Sequence, residues 1–222
     1  MKLKIAIMNG DDIGIEIVPM AKLVLTETLK SLGFSIELID LPIGKLAHNK
    51  YGDTFPEYTI SQLNEVHGII CGPIGHNNYP RNDSTWKMPP IRKKFELYAA
   101  IRPAKSYDNS KNIDIIFVRE LTEGLQSSDT IVGGYPEYRP SDEITIASRV
   151  ITRKGSHRVA KAAFDIAVSK NRSKVTAAHK EPLYRLSCGM FLEECVRVSK
   201  EYPSISYEDT LIDTTAMHLV SN

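Results

Sequence analysis

Three arginines, a lysine and an aspartate stand where the chain pattern can turn them toward chemistry. Arg92 opens a predicted helix, Arg102 precedes a proline, and Arg119 ends an apolar strand. A guanidinium fork meets a carboxylate two bonds at a time, and an arginine at a strand's carboxyl end faces the crevice where open α/β sheets bind ligands. Taken singly, each arginine reads as half of a surface salt bridge. Lys180 at a strand end reads as a solvated cation, and Asp213 at a helix start as an N-cap. Taken together they describe an α/β enzyme for small anionic substrates. The two glycine loops, after Met8 and at Gly72-Pro73, match neither G-x-G-x-x-G nor G-x-x-x-x-G-K-[ST].

The elements that must hold these residues follow from periodicity. Leu3, Ile5 and Ile7 alternate and then break at Asn9-Gly10-Asp11-Asp12, as a strand does when it enters a loop. After Gly14, Ile17, Ala21, Val24, Leu25 and Leu32 form a helical stripe, and Phe34, Ile36 and Leu38 alternate again. Strand, helix, strand is the βαβ signature of a parallel or mixed sheet with flanking helices. His67 to Pro73 reads as a buried strand, and Gly75 to Pro90 as a long loop with a functional role. Ile91–Tyr98 reads as a short helix, Asn112–Arg119 as a strand, and Glu143–Ile151 as an arm or hairpin. Ser156 is placed as the cap of a helix carrying Val159, Ala162, Ala163, Ile166 and Ala167. Lys174–Ala178 reads as a strand, with helices over Ser187–Lys200 and from Thr214. The expected fold is an open mixed α/β sheet with flanking helices over residues 1–102, followed by a second α/β lobe over 103–222.

Composition sets the frame. The 222 residues are 42% hydrophobic and 25% charged, enough for a sizeable core and against disorder. A net charge of +1 provides no general field for nucleic acid or an anionic membrane. No apolar run approaches the roughly 20 residues of a membrane span. Cys71, Cys188 and Cys195 show no C-x-x-C spacing, which argues against a disulfide framework or zinc knuckle and for reduced thiols in the cytoplasm.

Seven ordered segments carry a family resemblance. Asn9–Glu16 (NGDDIGIE), Gly72-Pro73, Ile91–Pro103 (IRKKFELYAAIRP), Val118–Gly124 (VRELTEG), Ile151–Ser156 (ITRKGS), Val175–Lys180 (VTAAHK) and Ile212–Met217 (IDTTAM) resemble the motifs of the isocitrate and isopropylmalate dehydrogenase family. The resemblance implies oxidation of a malate-type 2-hydroxy diacid by NAD or NADP, then decarboxylation assisted by Mg²⁺ or Mn²⁺. By resemblance Arg92, Arg102 and Arg119 grip the malate carboxylates, and Lys180 assists removal of the hydroxyl proton. Asp213 contacts substrate and metal, and Ile13, Gly72 and Pro73 lie on the cofactor side. In the family Lys180 and Asp213 reach into the partner subunit's site, so a homodimer is implied, with Met190, Phe191, Val198, Ala216 and Met217 as interface candidates. Trp86 and Met88 in the specificity segment favour an alkyl side group such as that of 3-isopropylmalate, while Lys87 leaves an isocitrate-like, tartrate or malate substrate open.

The departures are specific. Gln126 occupies the place of the family's catalytic tyrosine, and an amide cannot release a proton at neutral pH. Asp12 and Ile15 replace a usual glycine and proline, and Pro182 replaces an asparagine. The family continues past the position of Asn222 with two further metal-binding aspartates and adenosine-binding loops. Two expectations follow: a fragment of a longer enzyme, or a non-catalytic subunit or binding module of the same fold.

Overall fold

The alternation at the start becomes β1 (Leu3–Met8), the centre of a parallel sheet ordered β2-β1-β3. The computed structural model describes residues 3–75, 79–80, 88–107, 113–125 and 137–221. Ala6, Ile7 and Met8 are consecutive and all buried, as a strand covered on both faces requires. Next come α1 (Gly14–Ser31) and β2 (Ile36–Asp40), which lies parallel to β1, so the βαβ expectation holds. The face that α1 turns inward differs from the expected stripe: Gly14 and Val18 are buried, whereas Ile17 and Val24 are exposed. The helix carries apolar residues all round, and Gly14 decides its inward face. A Cβ there would lie 2.1 Å from the Asn9 carbonyl oxygen.

Two short helices escaped the sequence reading, α2 (Lys45–Tyr51) and α3 (Glu57–Leu63), and β3 (Gly68–Cys71) follows. Their contribution to the core is Ala47 and Leu63, beside Leu41, Ile43 and Phe55. The chain divides into two compact units, Met1–Pro90 and Ile91–Asn222.

The second unit opens with α4 (Ile91–Lys94), shorter than the helix expected to Tyr98. Glu96 adopts φ +48° and ends it: the Glu96 N–H donates to Lys93 O at 3.3 Å and the Leu97 N–H to Arg92 O at 2.8 Å, a Schellman stop without the usual glycine. Strand β4 (Ala99–Lys105) pairs antiparallel with β5 (Asp114–Glu120). Arg102-Pro103, the expected lobe boundary, therefore lies inside a strand. Pro103 is tolerated because β4 has one partner among the described residues, leaving an edge that needs no N–H. Strands β6 (Glu137–Ser141) and β7 (Ile144–Ala147) form an exposed hairpin; of the arm expected over Glu143–Ile151, Ile144–Ala147 is its second strand, and β6 was not foreseen.

Helix α5 (Arg153–Ser169) starts at Thr152, whose side chain accepts the Gly155 N–H at 3.0 Å. Ser156, expected as the cap, is buried inside the helix. Parallel strands β8 (Lys174–His179) and β9 (Ser206–Leu211) pair around α6 (Arg185–Ser199), and α7 (Ile212–Ser221) follows β9. The core joins Ala160, Phe164 and Ala167 of α5 to Ala177, Cys195, Val198 and Ile205. Val198, an interface candidate from the sequence, is fully buried in this core. Burial pushes the Cys195 thiol up to about 12, so it packs as a hydrophobe. Helices α5 and α6 are also joined through Glu194, 1% exposed, which accepts from Arg153 at 2.8 Å, forms an ion pair with Arg197 at 2.7 Å and lies 3.2 Å from His157 Nδ1. Among the described residues no helix is long and apolar enough to cross a membrane.

Candidate active site

Strands β8 and β9 end side by side, with His179 opposite Leu211, and the next residues bring Lys180 to Asp213. The Lys180 ammonium donates to the Asp213 carboxylate, with Lys180 about one-third and Asp213 nearly two-thirds exposed. Two residues read separately from sequence thus form one ion pair at the carboxyl ends of parallel strands, where α/β sheets carry their chemistry.

The arginines are arranged by β4 and β5. Arg119 lies opposite Ala100, so Arg102, two residues along β4, shares its face at the diagonal position. The opposite face, with Ala99 and Ile101, lies along Ala162 and Ile166 of α5. Arg92 sits on α4, exposed like Arg102 and Arg119. Among the described residues no acid pairs with any of the three, and no hydrogen bond joins them to Lys180 or Asp213.

The rest of the Val118–Gly124 segment is architecture that the sequence reading missed. Glu120 accepts the Thr122 and Glu123 N–H groups at 2.6 and 2.7 Å, and Arg158 Nη2 at 2.9 Å. Arg158 also lies over the Tyr98 ring. Glu123 accepts the Thr152 N–H at 2.9 Å, and a Cβ on Gly155 would fall 2.4 Å from its carboxylate. These acids anchor β5 to the start of α5 and leave Arg119 as the outward-facing charge of the segment.

In the first unit the glycine loops lock onto each other. The Asp11 N–H donates to Pro73 O at 2.7 Å, and a Cβ on Gly72 would lie 1.9 Å from Asn9 O. Asp11 is 3% exposed, and its carboxylate accepts the Lys45 N–H at 2.8 Å, the Gly75 N–H at 3.0 Å and the Tyr79 hydroxyl at 3.0 Å. Burial and this bond to Asp11 raise the Tyr79 phenol above its ordinary range. Asp12, where the family has glycine, takes φ +48°, a left-handed turn that aspartate tolerates. Ile13 is exposed at the cap of α1, with Gly72 and Pro73 at the end of β3.

These residues do not by themselves make a cofactor or metal site. The Gly14, Ile15 and Glu16 N–H groups turn back on Asp11, Asp12 and Ile13 carbonyls, and the loop glycines are filled by backbone, which leaves no phosphate cradle here. Among the described residues no three His, Cys, Asp or Glu converge as metal ligands, and Asp213 offers one carboxylate. Gln126, Trp86 and Lys87 lie outside the described residues.

Known proteins resemble this chain in sequence and fold. The chain is 37% identical over 236 residues to the homoisocitrate dehydrogenase of Methanocaldococcus jannaschii, covering 99% of this chain and 64% of that one. It is 32% identical over 224 residues to the 3-isopropylmalate dehydrogenase of Saccharolobus solfataricus, covering 99% and 62%. The structure of isocitrate dehydrogenase from Methylococcus capsulatus superposes with a TM-score of 0.81 at 28% identity, over 99% of this chain and 63% of that one. The chain thus spans somewhat less than two thirds of the length of these relatives. A profile described as Isocitrate/isopropylmalate dehydrogenase matches residues 4–222, and this chain belongs to that dehydrogenase family.

Proposed function

We propose that the protein acts in NAD(P)-dependent oxidative decarboxylation of a malate-type 2-hydroxy diacid, with Mg²⁺ or Mn²⁺, as a cytoplasmic homodimer. The observation that carries this reading is the Lys180–Asp213 pair at the ends of β8 and β9. The chain's own residues divide the work. Arg102 and Arg119 present two guanidinium groups on one sheet face, suited to a diacid's carboxylates, and Arg92 adds a third. Lys180 assists removal of the substrate hydroxyl proton, accepting it once the ammonium has left Asp213 and released its own proton to water. Ile13, Gly72 and Pro73 are the loop residues nearest in sequence to the cofactor side of the family. Three substrates compete: 3-isopropylmalate, favoured by Trp86 and Met88, and the tricarboxylates homoisocitrate and isocitrate named for the relatives, which Lys87 keeps open.

Calorimetric titration of the protein with each diacid, with and without Mg²⁺ and NAD, tests this proposal. Arg119→Ala is expected to weaken binding of the preferred diacid by about 2–5 kcal/mol, the cost of orphaning one member of a desolvated charge pair. Unchanged affinity in that variant rejects the arginine cradle.

Gln126 and Pro182 favour a second reading, a binding subunit of the same fold with little decarboxylation of its own. Proton donation at the Gln126 position contributes about 10²- to 10⁴-fold to an enzyme that has an acid there. In the active assembly Gln126→Tyr is expected to accelerate carbon dioxide release and leave oxidation little changed. No change in either step would remove Gln126 from the reaction.

A further inference from the structure

We propose that His179 is a positioning residue for Lys180, acting through both ring nitrogens; the inference deepens, and rests on, the reading of Lys180 and Asp213 as the reacting pair. The Glu181 N–H donates to His179 Nδ1 at 3.0 Å. A backbone amide can only donate, so Nδ1 carries no proton and the neutral ring holds its proton on Nε2. Nε2 then donates to Asp209 Oδ2, also at 3.0 Å. The ring is buried, at the last residue of β8, while Asp209 lies on β9 opposite Ala177.

One side of the imidazole thus closes the turn that carries Lys180, and the other ties that turn to the strand that delivers Asp213. The Lys180 carbonyl accepts the Leu183 and Tyr184 N–H groups at 3.2 and 3.0 Å, so the main chain is fixed on both sides of the lysine. Only its side chain remains adjustable, and it meets Asp213. A histidine that merely filled the core would contribute stability but would leave the lysine amine unaffected.

The test uses the whole 222-residue chain. Nitrogen-15 NMR of labelled histidine reads the tautomer, and reductive methylation with peptide mass spectrometry reads the amine reactivity of Lys180 against exposed Lys30. His179→Leu removes both contacts. His179→Asn keeps an acceptor for the Glu181 N–H, and His179→Gln keeps a donor toward Asp209.

The expected result is an Nε2–H tautomer, with Lys180 in His179→Leu methylated about fivefold faster, the scale of one lost hydrogen bond. Lys30 should be unchanged, and the Asn and Gln variants should each recover part of the protection. An Nδ1–H tautomer, or a wild-type Lys180 rate in folded His179→Leu, overturns the proposal. If His179→Leu does not fold, wild-type rates in both other variants overturn it, and intermediate rates support it. None of these readouts needs turnover, so oxidation by the active assembly that survives Lys180→Ala would sink the functional reading separately.

Discussion

At the scale of single residues, charges that face solvent and charges that hold the chain together look alike in the sequence. Asp11 and Asp12 are adjacent, yet the first is buried with three donors and the second is exposed in a left-handed turn. The difference arises because Gly44 and Gly10 let backbone approach the Asp11 side of the loop; a Cβ on Gly44 would lie 2.6 Å from its carboxylate. Asp11→Ala would strand the Lys45 and Gly75 amides, each at about 1–3 kcal/mol, and take one acceptor from the Tyr79 hydroxyl. The expected loss is therefore about 3 kcal/mol or more in urea unfolding, against about 1 kcal/mol for Tyr79→Phe, which removes the bond to Asp11 but leaves both amides their acceptor. Equal losses from the two variants would mean that the loop is held by something other than the Asp11 carboxylate. His179, Glu120 and Glu123 were illegible for the same reason: what makes each of them matter is a partner about 30 to 40 residues away or a backbone amide that appears only after folding.

At the scale of elements, legibility followed the strength of the periodic pattern. The runs at Leu3–Met8, Asp114–Glu120 and Lys174–His179 appear as strands because alternating or continuous apolar residues leave few alternatives. Strand β9 was missed because Ser206–Leu211 is mostly polar, and β4 because Pro103 reads as a boundary when no partner strand is visible. The family resemblance singled out Lys180 and Asp213 one by one, but their pairing was not foreseen, since it depends on the register of β9, which the sequence did not reveal. Helices α5 and α6 carry a device with a measurable pH signature. Burial works against ionisation of Glu194, but Arg153, Arg197 and His157 outweigh it and hold the carboxyl below its ordinary value of 4.5. A carboxyl lowered in the folded state contributes stability above its unfolded value and loses it as pH falls through the folded one. Acid unfolding should therefore steepen below about pH 4.5, and Glu194→Gln should flatten that limb while costing stability at pH 7. An unaltered acid limb in Glu194→Gln would assign the sensitivity to other carboxylates.

At the scale of the whole molecule, the decisive feature is apolar surface with no cover within the described chain. Every residue of the β6–β7 hairpin is exposed, and Tyr138 lies opposite Ile146, with Ile144 on the same face. A two-stranded hairpin is marginal in water unless its apolar face is packed. Leu186 of α6 and Met217 and Val220 of α7 are also largely exposed, and apolar surface of this kind is a candidate contact surface. In the proposed homodimer these surfaces have one economical solution, the same surfaces of a second copy, because a two-fold interface matches a patch to itself. In that proposed homodimer the Lys180–Asp213 pair would serve the partner subunit's site; among the described residues neither bonds to Arg92, Arg102 or Arg119. The expectation is a dimer in sedimentation equilibrium at micromolar concentration. Ile146→Asp should shift it toward monomer with little change in helix content, because the residue lies outside the core cluster of its own unit. Diacid binding should weaken in parallel if each site draws on the partner subunit. A monomeric wild-type chain, or an Ile146→Asp variant that remains dimeric, would remove the hairpin from the interface and require the arginines and Lys180 to act within one chain.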